Sequence, residues 1–329
     1  MVIPQSYPVS DEDQDDEAEF SASSVNYDTD RDSLASEEHD GYNESMSLLP
    51  SLYEHSYAHG RRYHRYRHGR YPIPNDEDEQ SREEMLHAMM LEATDGRLFY
   101  SPLDERSVKK LVNLGTGTGM WPIERTDLSP IQPYWVPVNV KFYVDDVEAE
   151  WMNGDDFDFV HLRNMIAVLR APVDVLRQAY EHLSPGGWIE LQDVNGQVHT
   201  DDDAGLEDWF LSRFTQHKVD AYAQFGTNAH AAVLGGDQLR EADFVNIRHN
   251  YIKLPYGTWP KDKVMLIVGM YYRTACAKFF SALGAIHFPL LGWRKAEMEV
   301  SCAECRQGMR DPNVHAYGKM HFRSGQKPA

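Results

Sequence analysis

From residue 76 onward the chain alternates between short apolar runs and longer stretches of helical periodicity. Met85, Leu86, Met89 and Met90 recur at helical spacing behind an acidic first turn, which predicts an amphipathic helix over 76–94. Leu111–Leu114 is a continuous apolar run of strand length, and Val140–Val144, Phe157–Leu162 and Trp188–Leu191 read the same way. Pro172–Leu183 is an amphipathic helix, stopped by Ser184-Pro185-Gly186-Gly187. Helices are predicted over 204–223, 229–242, 260–284 and 294–310, and strands over Phe244–Leu254 and Val314–Phe322. Alternating β and α elements imply a mostly parallel sheet with helices on both faces. The late helical pair between the last two strands predicts a cap at about 258–310 on a domain spanning 55–329. The Met-rich face of the first helix reads as core.

The first fifty residues do not share this pattern. They carry fourteen acidic side chains against one basic, with few aliphatics. Such a segment cannot bury enough surface to offset its ordering entropy, so residues 1–54 are expected to form a disordered acidic tail. Residues 56–72 differ again, interleaving Arg61, Arg62, Arg65, Arg67 and Arg70 with tyrosines and histidines. That composition can bind nucleic acid, but the chain's net charge of −20 favours an arm packed on its own domain. No direct nucleic-acid partner is expected. Three cysteines in 329 residues make no disulfide framework, which suits cytoplasm or nucleus. No apolar run is long enough for a membrane span.

The candidate chemistry begins where the first strand meets Gly115-Thr116-Gly117-Thr118-Gly119. Glycines there let backbone approach a ligand and present N–H groups at a helix start. Alone the pattern is weak, and a nicotinamide-binding turn would need a further glycine. Asp127 offers a carboxylate for ribose hydroxyls. Asp146, in Asp145-Asp146-Val147 after a strand, could accept from an adenine amine. His161 is a candidate base, although a histidine ending a strand is more often structural. Cys302 and Cys305 form a single C-x-x-C inside a predicted helix, which reads as structural, and no metal site is expected.

Taken together, Val112-Asn113-Leu114-Gly115-Thr116-Gly117-Thr118-Gly119-Met120-Trp121, Thr126-Asp127-Leu128-Ser129, Asp145-Asp146-Val147-Glu148, Phe157-Asp158-Phe159-Val160-His161-Leu162-Arg163 and Leu183-Ser184-Pro185-Gly186-Gly187-Trp188 resemble the fungal LaeA-like methyltransferases. Tyr71-Pro72-Ile73-Pro74-Asn75-Asp76 and Val314-His315-Ala316-Tyr317 are similar to that family's ends. The resemblance covers about residues 55–325. It implies an α/β, Rossmann-like class I methyltransferase sheet, mostly parallel with its last strand antiparallel, under a helical cap. It implies S-adenosyl-L-methionine as methyl donor, a small-molecule or protein acceptor, and a role in secondary metabolism as enzyme or as regulatory binding partner. Carried over by position, Gly115, Thr116, Gly117 and Gly119 would line the methionine end, Asp127 would hold the ribose, and Asp146 with Val147 would read the adenine. Leu162 and Arg163 would stand near the methionine amine and the methyl. Asn113 replaces the family's usual acid.

One spacing departs from the family. Only seven residues separate Gly119 from Asp127, whereas a parallel crossover ordinarily takes a dozen or more. A helix reduced to one turn, or a lost second strand, is expected. Either would misplace Asp127 and weaken donor binding, and restoring a family-length insert would tighten it.

Overall fold

The computed structural model describes residues 54–67, 69–104, 106, 108–119, 124–127, 129, 131, 140–152, 154–202, 206 and 208–329. The expected acidic tail, apart from Glu54, lies outside the described residues. The described residues all fall in one compact unit.

Seven strands form one sheet: β3 (Leu111–Leu114), β4 (Glu124–Asp127), β5 (Phe142–Val144), β6 (Phe157–Arg163), β7 (Leu183–Thr200), β8 (Val245–Pro255) and β9 (Ala316–Gln326). Their order is β5-β4-β3-β6-β7-β9-β8. Strands β5 through β7 are mutually parallel, and β9 runs antiparallel to both β7 and β8. This is the sheet that the resemblance implied.

The second strand, whose place the spacing put in doubt, is β4. It pairs with β3 in parallel, Val112 opposite Glu124 and Leu114 opposite Thr126. That register explains how a short connection suffices. The chain leaves β3 at Leu114 and need only return to the level of Val112, roughly 7 Å along the strand and about 5 Å across. The described part of the connection, 115–119, holds no helix, and β4 begins at Glu124. Of the two expected outcomes, loss of the second strand does not occur.

On one face of the sheet, Val112, Leu114, Val160, Leu162, Ile189 and Leu191 pack with helices α2 (Pro172–His182) and α4 (Ala231–Glu241). The opposite face carries a buried polar row, Asn113 beside His161 beside Glu190. Glu190 accepts hydrogen bonds from the Tyr100 and Ser101 N–H groups and the Ser101 hydroxyl, which ties segment 98–103 across that face. The turn predicted at Ser184–Gly187 is a bulge inside β7, where pairing with β6 slips between Phe157 and Phe159 and Gly186 takes a φ of 81°.

The second apolar cluster joins α1 (Glu77–Ala93), α3 (Phe210–Phe225), α5 (Lys263–Leu290) and α6 (Lys295–Gly308) to β8 and β9. Asp76 caps α1 by accepting from the Glu79 N–H, and Asp262 caps α5 by accepting from the Met265 N–H. Helices α5 and α6 fall between β8 and β9, and α5 packs along α1 and α3. Before α1 comes a hairpin that the pattern did not predict, β1 (His55–Ala58) with β2 (Arg61–His64). The arginines of this arm meet acids of the described domain: Arg61 pairs with Asp76, Arg62 with Glu77, Arg65 with Glu54 and Arg70 with Glu148. No described helix is long and apolar enough to cross a membrane.

Candidate active site

At the carboxyl ends of β3–β7 and beneath α1, α3 and α5 lies a cavity of about 280 Å³. Its walls divide sharply. One end is polar and built on loops, and the other is apolar and built on helices.

The polar end starts at the glycine turn. Gly115 and Gly117 take φ values of 69° and 57°, in the left-handed region that side chains disfavour. Space is also short there. A Cβ at Gly115 would lie 2.1 Å from the Met165 Sδ, and one at Gly117 would lie 2.5 Å from the Glu83 Oε2. The turn is pinned from below, where Asn113 donates to the Thr116 hydroxyl at 3.2 Å. The Asn113 Oδ1 lies 2.8 Å from the His161 Nδ1. Burial holds His161 well below the ordinary histidine range, so its ring is neutral and its Nδ1–H is the donor in that contact. His161 is fully buried and does not line the cavity; its place is structural.

Asp127, at the end of β4, reaches the turn directly. Its Oδ2 accepts from the Gly117 N–H at 2.7 Å and its Oδ1 from the Ser129 N–H at 2.9 Å. The short connection has thus not carried Asp127 away from the glycines. Asp146 and Val147, after β5, line the same cavity, as does Arg163 at the end of β6. The Asp146 carboxylate receives the Arg70 Nε at 3.1 Å, and the Arg70 Nη2 reaches Glu148 at 2.7 Å. The arm is held there a second time by Arg170, which donates to the Gly69 carbonyl.

Of the nine positions carried over from the family pattern, seven line the cavity: Gly115, Thr116, Gly117, Asp127, Asp146, Val147 and Arg163. Leu162 does not. It points into the apolar cluster under α2, because alternate residues of β6 face opposite sides of the sheet. Gly119 is also absent from the lining, and its N–H closes the turn onto the Thr116 carbonyl. The glycine turn leads into β4 rather than into a helix among the described residues.

Among the charged groups at this cavity that sequence reasoning passed over are Glu83, Arg70, Asp193 and Lys218. Glu83 lies on α1 against Gly117, and burial pushes its carboxyl up to about 8. Arg70 comes from the arm. Asp193, on β7, is buried, and its Oδ1 accepts from the Ile166 N–H while its Oδ2 has no partner among the described residues. Desolvation pushes that carboxyl up to about 7. Lys218, on α3, also lines the cavity, and burial lowers its ammonium to about 8. A signal for two of them was present. Glu83 shares a helical face with Leu86 and Met90, and Lys218 shares one with Leu211, Phe214 and Tyr222; a charge inside an apolar stripe is the mark. The Met-rich face of α1 proves to be both core and cavity wall, since Met89 and Met90 do both.

The methyltransferase domain family model matches residues 85–225, which contain the glycine turn, Asp127, Asp146 and Asp193. The methyltransferase pytC of Aspergillus terreus is 36% identical over 295 residues, covering 86% of this chain and 91% of that protein. The chain belongs to the fungal LaeA-like class I methyltransferase family. Within that family, the secondary metabolism regulator laeA of Aspergillus flavus is 30% identical over 292 residues, covering 82% of this chain and 77% of the relative. Among solved structures, a Haemonchus contortus phosphoethanolamine N-methyltransferase 2 in complex with S-adenosyl-L-methionine aligns over 75% of this chain and 53% of its own, at 13% identity and a TM-score of 0.41. The fold of this LaeA-like chain is that of an S-adenosylmethionine-dependent methyltransferase domain.

The residues present suit that donor. The two left-handed glycines leave a cradle that any Cβ would fill. Asp127 stands beside that cradle, its carboxylate accepting from the Gly117 and Ser129 N–H groups, and it lines the same cavity. The C-x-x-C pair is buried in α6, away from the cavity lining, and no cluster of metal-ligand type occurs among the described residues.

Proposed function

We propose that this protein is a working S-adenosylmethionine-dependent methyltransferase of secondary metabolism, acting in cytoplasm or nucleus, rather than an inactive relative. The observation that carries this reading is the 2.7 Å hydrogen bond from the Gly117 N–H to Asp127. It keeps the ribose acid beside the glycine turn despite the short connection. Greater similarity to the pytC methyltransferase than to the laeA regulators supports it.

In this reading Gly115, Thr116 and Gly117 would line the methionine end of the donor. Glu83 would supply there the carboxyl group that Asn113 does not, ionising as a cationic amine comes to lie beside it. Asp127 would hold the ribose, and Asp146 with Val147 the adenine. When bound, the donor supplies an electrophilic methyl group on a sulfonium. The chain's own contribution is positioning and exclusion of water. The glycine turn and the two aspartates fix one reactant, and the apolar walls of α1, α3 and α5 fix the other, so that transfer becomes effectively unimolecular.

The test is donor consumption. The full-length chain, given S-adenosylmethionine labelled on the methyl and a fraction of fungal extract below about 1 kDa, should move label into that fraction and release S-adenosylhomocysteine; Asp127→Ala should not. Donor binding without transfer to either the small-molecule or the protein fraction would overturn the reading in favour of a regulatory binding protein, the role that the laeA relatives' names carry.

A further inference from the structure

The apolar end of the cavity is walled by Met89, Phe214, Tyr222, Tyr272, Phe280 and Leu283, all buried, from three helices. Aromatic faces and a thioether in one enclosure suit a flat, largely apolar organic molecule. A protein side chain would have to bring its polar backbone with it. Most polar groups on this wall already serve one another. The Thr215 and Tyr256 hydroxyls donate to the Gly196 carbonyl at 3.2 and 3.3 Å, and the Tyr272 hydroxyl donates to Tyr256 at 3.4 Å.

Lys218 is the exception. Its ammonium lies against Gly196, so close that a Cβ there would sit 2.3 Å from Nζ. It makes no hydrogen bond or ion pair with any described residue. The side chain is half-buried, and partial desolvation of an ammonium with no partner among the described residues carries a cost that lowers its pKa. A Met or Leu would fill the same stripe of α3 without that cost. An oxyanion entering the cavity would relieve it, at the boundary between the apolar walls and the sheet.

We propose that the acceptor chamber takes a small, mostly aromatic or otherwise apolar molecule bearing an ionisable oxygen acid, and that Lys218 recognises the resulting oxyanion. The shared chemistry is that of a carboxylate, a phenolate or an enolate. Lys218 is thereby a specificity residue for the acceptor. This rests on the methyltransferase reading for the word acceptor, but the chamber and its unpaired ammonium stand without it.

The experiment titrates full-length protein, with S-adenosylhomocysteine present, with benzoate and 2-naphthoate and with their neutral methyl esters at pH 7. The carboxylates should bind roughly ten- to a hundredfold more tightly than the esters, the range expected for a charge-assisted pair. Lys218→Met should remove that preference, and Lys218→Arg should keep most of it. Both variants should bind S-adenosylhomocysteine as the parent does and melt within a few degrees of it. Esters binding as well as acids, no binding of either, or an undiminished preference in Lys218→Met would overturn the proposal. Loss of S-adenosylhomocysteine binding by the parent alongside a Lys218-dependent preference would instead overturn the methyltransferase reading and leave this one standing.

Discussion

The two ends of the cavity are built by different means. The polar end is local: a glycine turn, an acid at the end of β4 and another after β5, each placed by the strand that precedes it. Its partners are backbone N–H groups and the arm's Arg70. The apolar end is assembled from helices far apart in the chain, α1, α3 and α5, which meet only when the domain folds. Local construction tolerates a shortened connection, because strand register alone returns Asp127 to the glycines. Helical construction leaves the chamber free to change shape between relatives by substitution along the stripes, without disturbing the polar end.

That division can be broken or sharpened in order of effect. Gly117→Val should be the most damaging. It forces a β-branched residue to a φ of 57° and drives its Cβ toward Glu83. Calorimetry should find affinity for S-adenosylhomocysteine reduced by about a hundredfold or more, with acid binding in the chamber retained. Asp127→Asn should cost roughly ten- to a hundredfold in the same titration, the worth of charge-assisted hydrogen bonds to one ligand.

Asp193 gives a stability test with a defined sign. Its carboxyl is pushed from the ordinary 3.8 up to about 7 by burial. Between those values the folded state keeps a proton that the unfolded chain sheds, so this group lowers stability as pH rises through that window. Asp193→Asn should therefore be more stable than the parent at pH 8, by about 1–3 kcal/mol. The two proteins should converge near pH 4 in denaturant titrations. A variant less stable at pH 8 would show that the ionised carboxylate is held by more than the Ile166 and Met165 N–H groups.

The smallest effect is expected where the sequence suggested a large one. Inserting about ten flexible residues after Gly119 should change donor affinity by less than roughly threefold, since doubling a loop costs only about 0.6 kcal/mol. A gain of about tenfold or more, the worth of one charge-assisted pair of hydrogen bonds, would reinstate the misplaced-acid picture.

The same division explains what could be read from the chain. The β3 run Leu111–Leu114 emerges with its predicted bounds, and the predicted 76–94 helix is α1, Glu77–Ala93, because each is specified by neighbours in sequence. Asp146 was legible as the acid after a strand and Asp127 from its motif, and both line the cavity. The second strand that the short connection put in doubt is present, and Asp127 lines the cavity. The dozen-residue rule describes crossovers that carry a helix past full-length strands, and β3 and β4 are four residues each. Leu162 was assigned to the site by position in the motif, but strand alternation turns it away. Lys218, Glu83 and Asp193 were missed because a polar residue in an apolar stripe or strand gains meaning only once the opposing wall is known.

The central claim is that the glycine turn and Asp127 form an intact donor site despite the short connection. Calorimetric titration of the full-length chain with S-adenosylmethionine tests it most directly. The account predicts one saturable site per chain with a dissociation constant on the order of 10 μM or tighter, about −7 kcal/mol or better; no saturable heat with ligand at about 1 mM would contradict it.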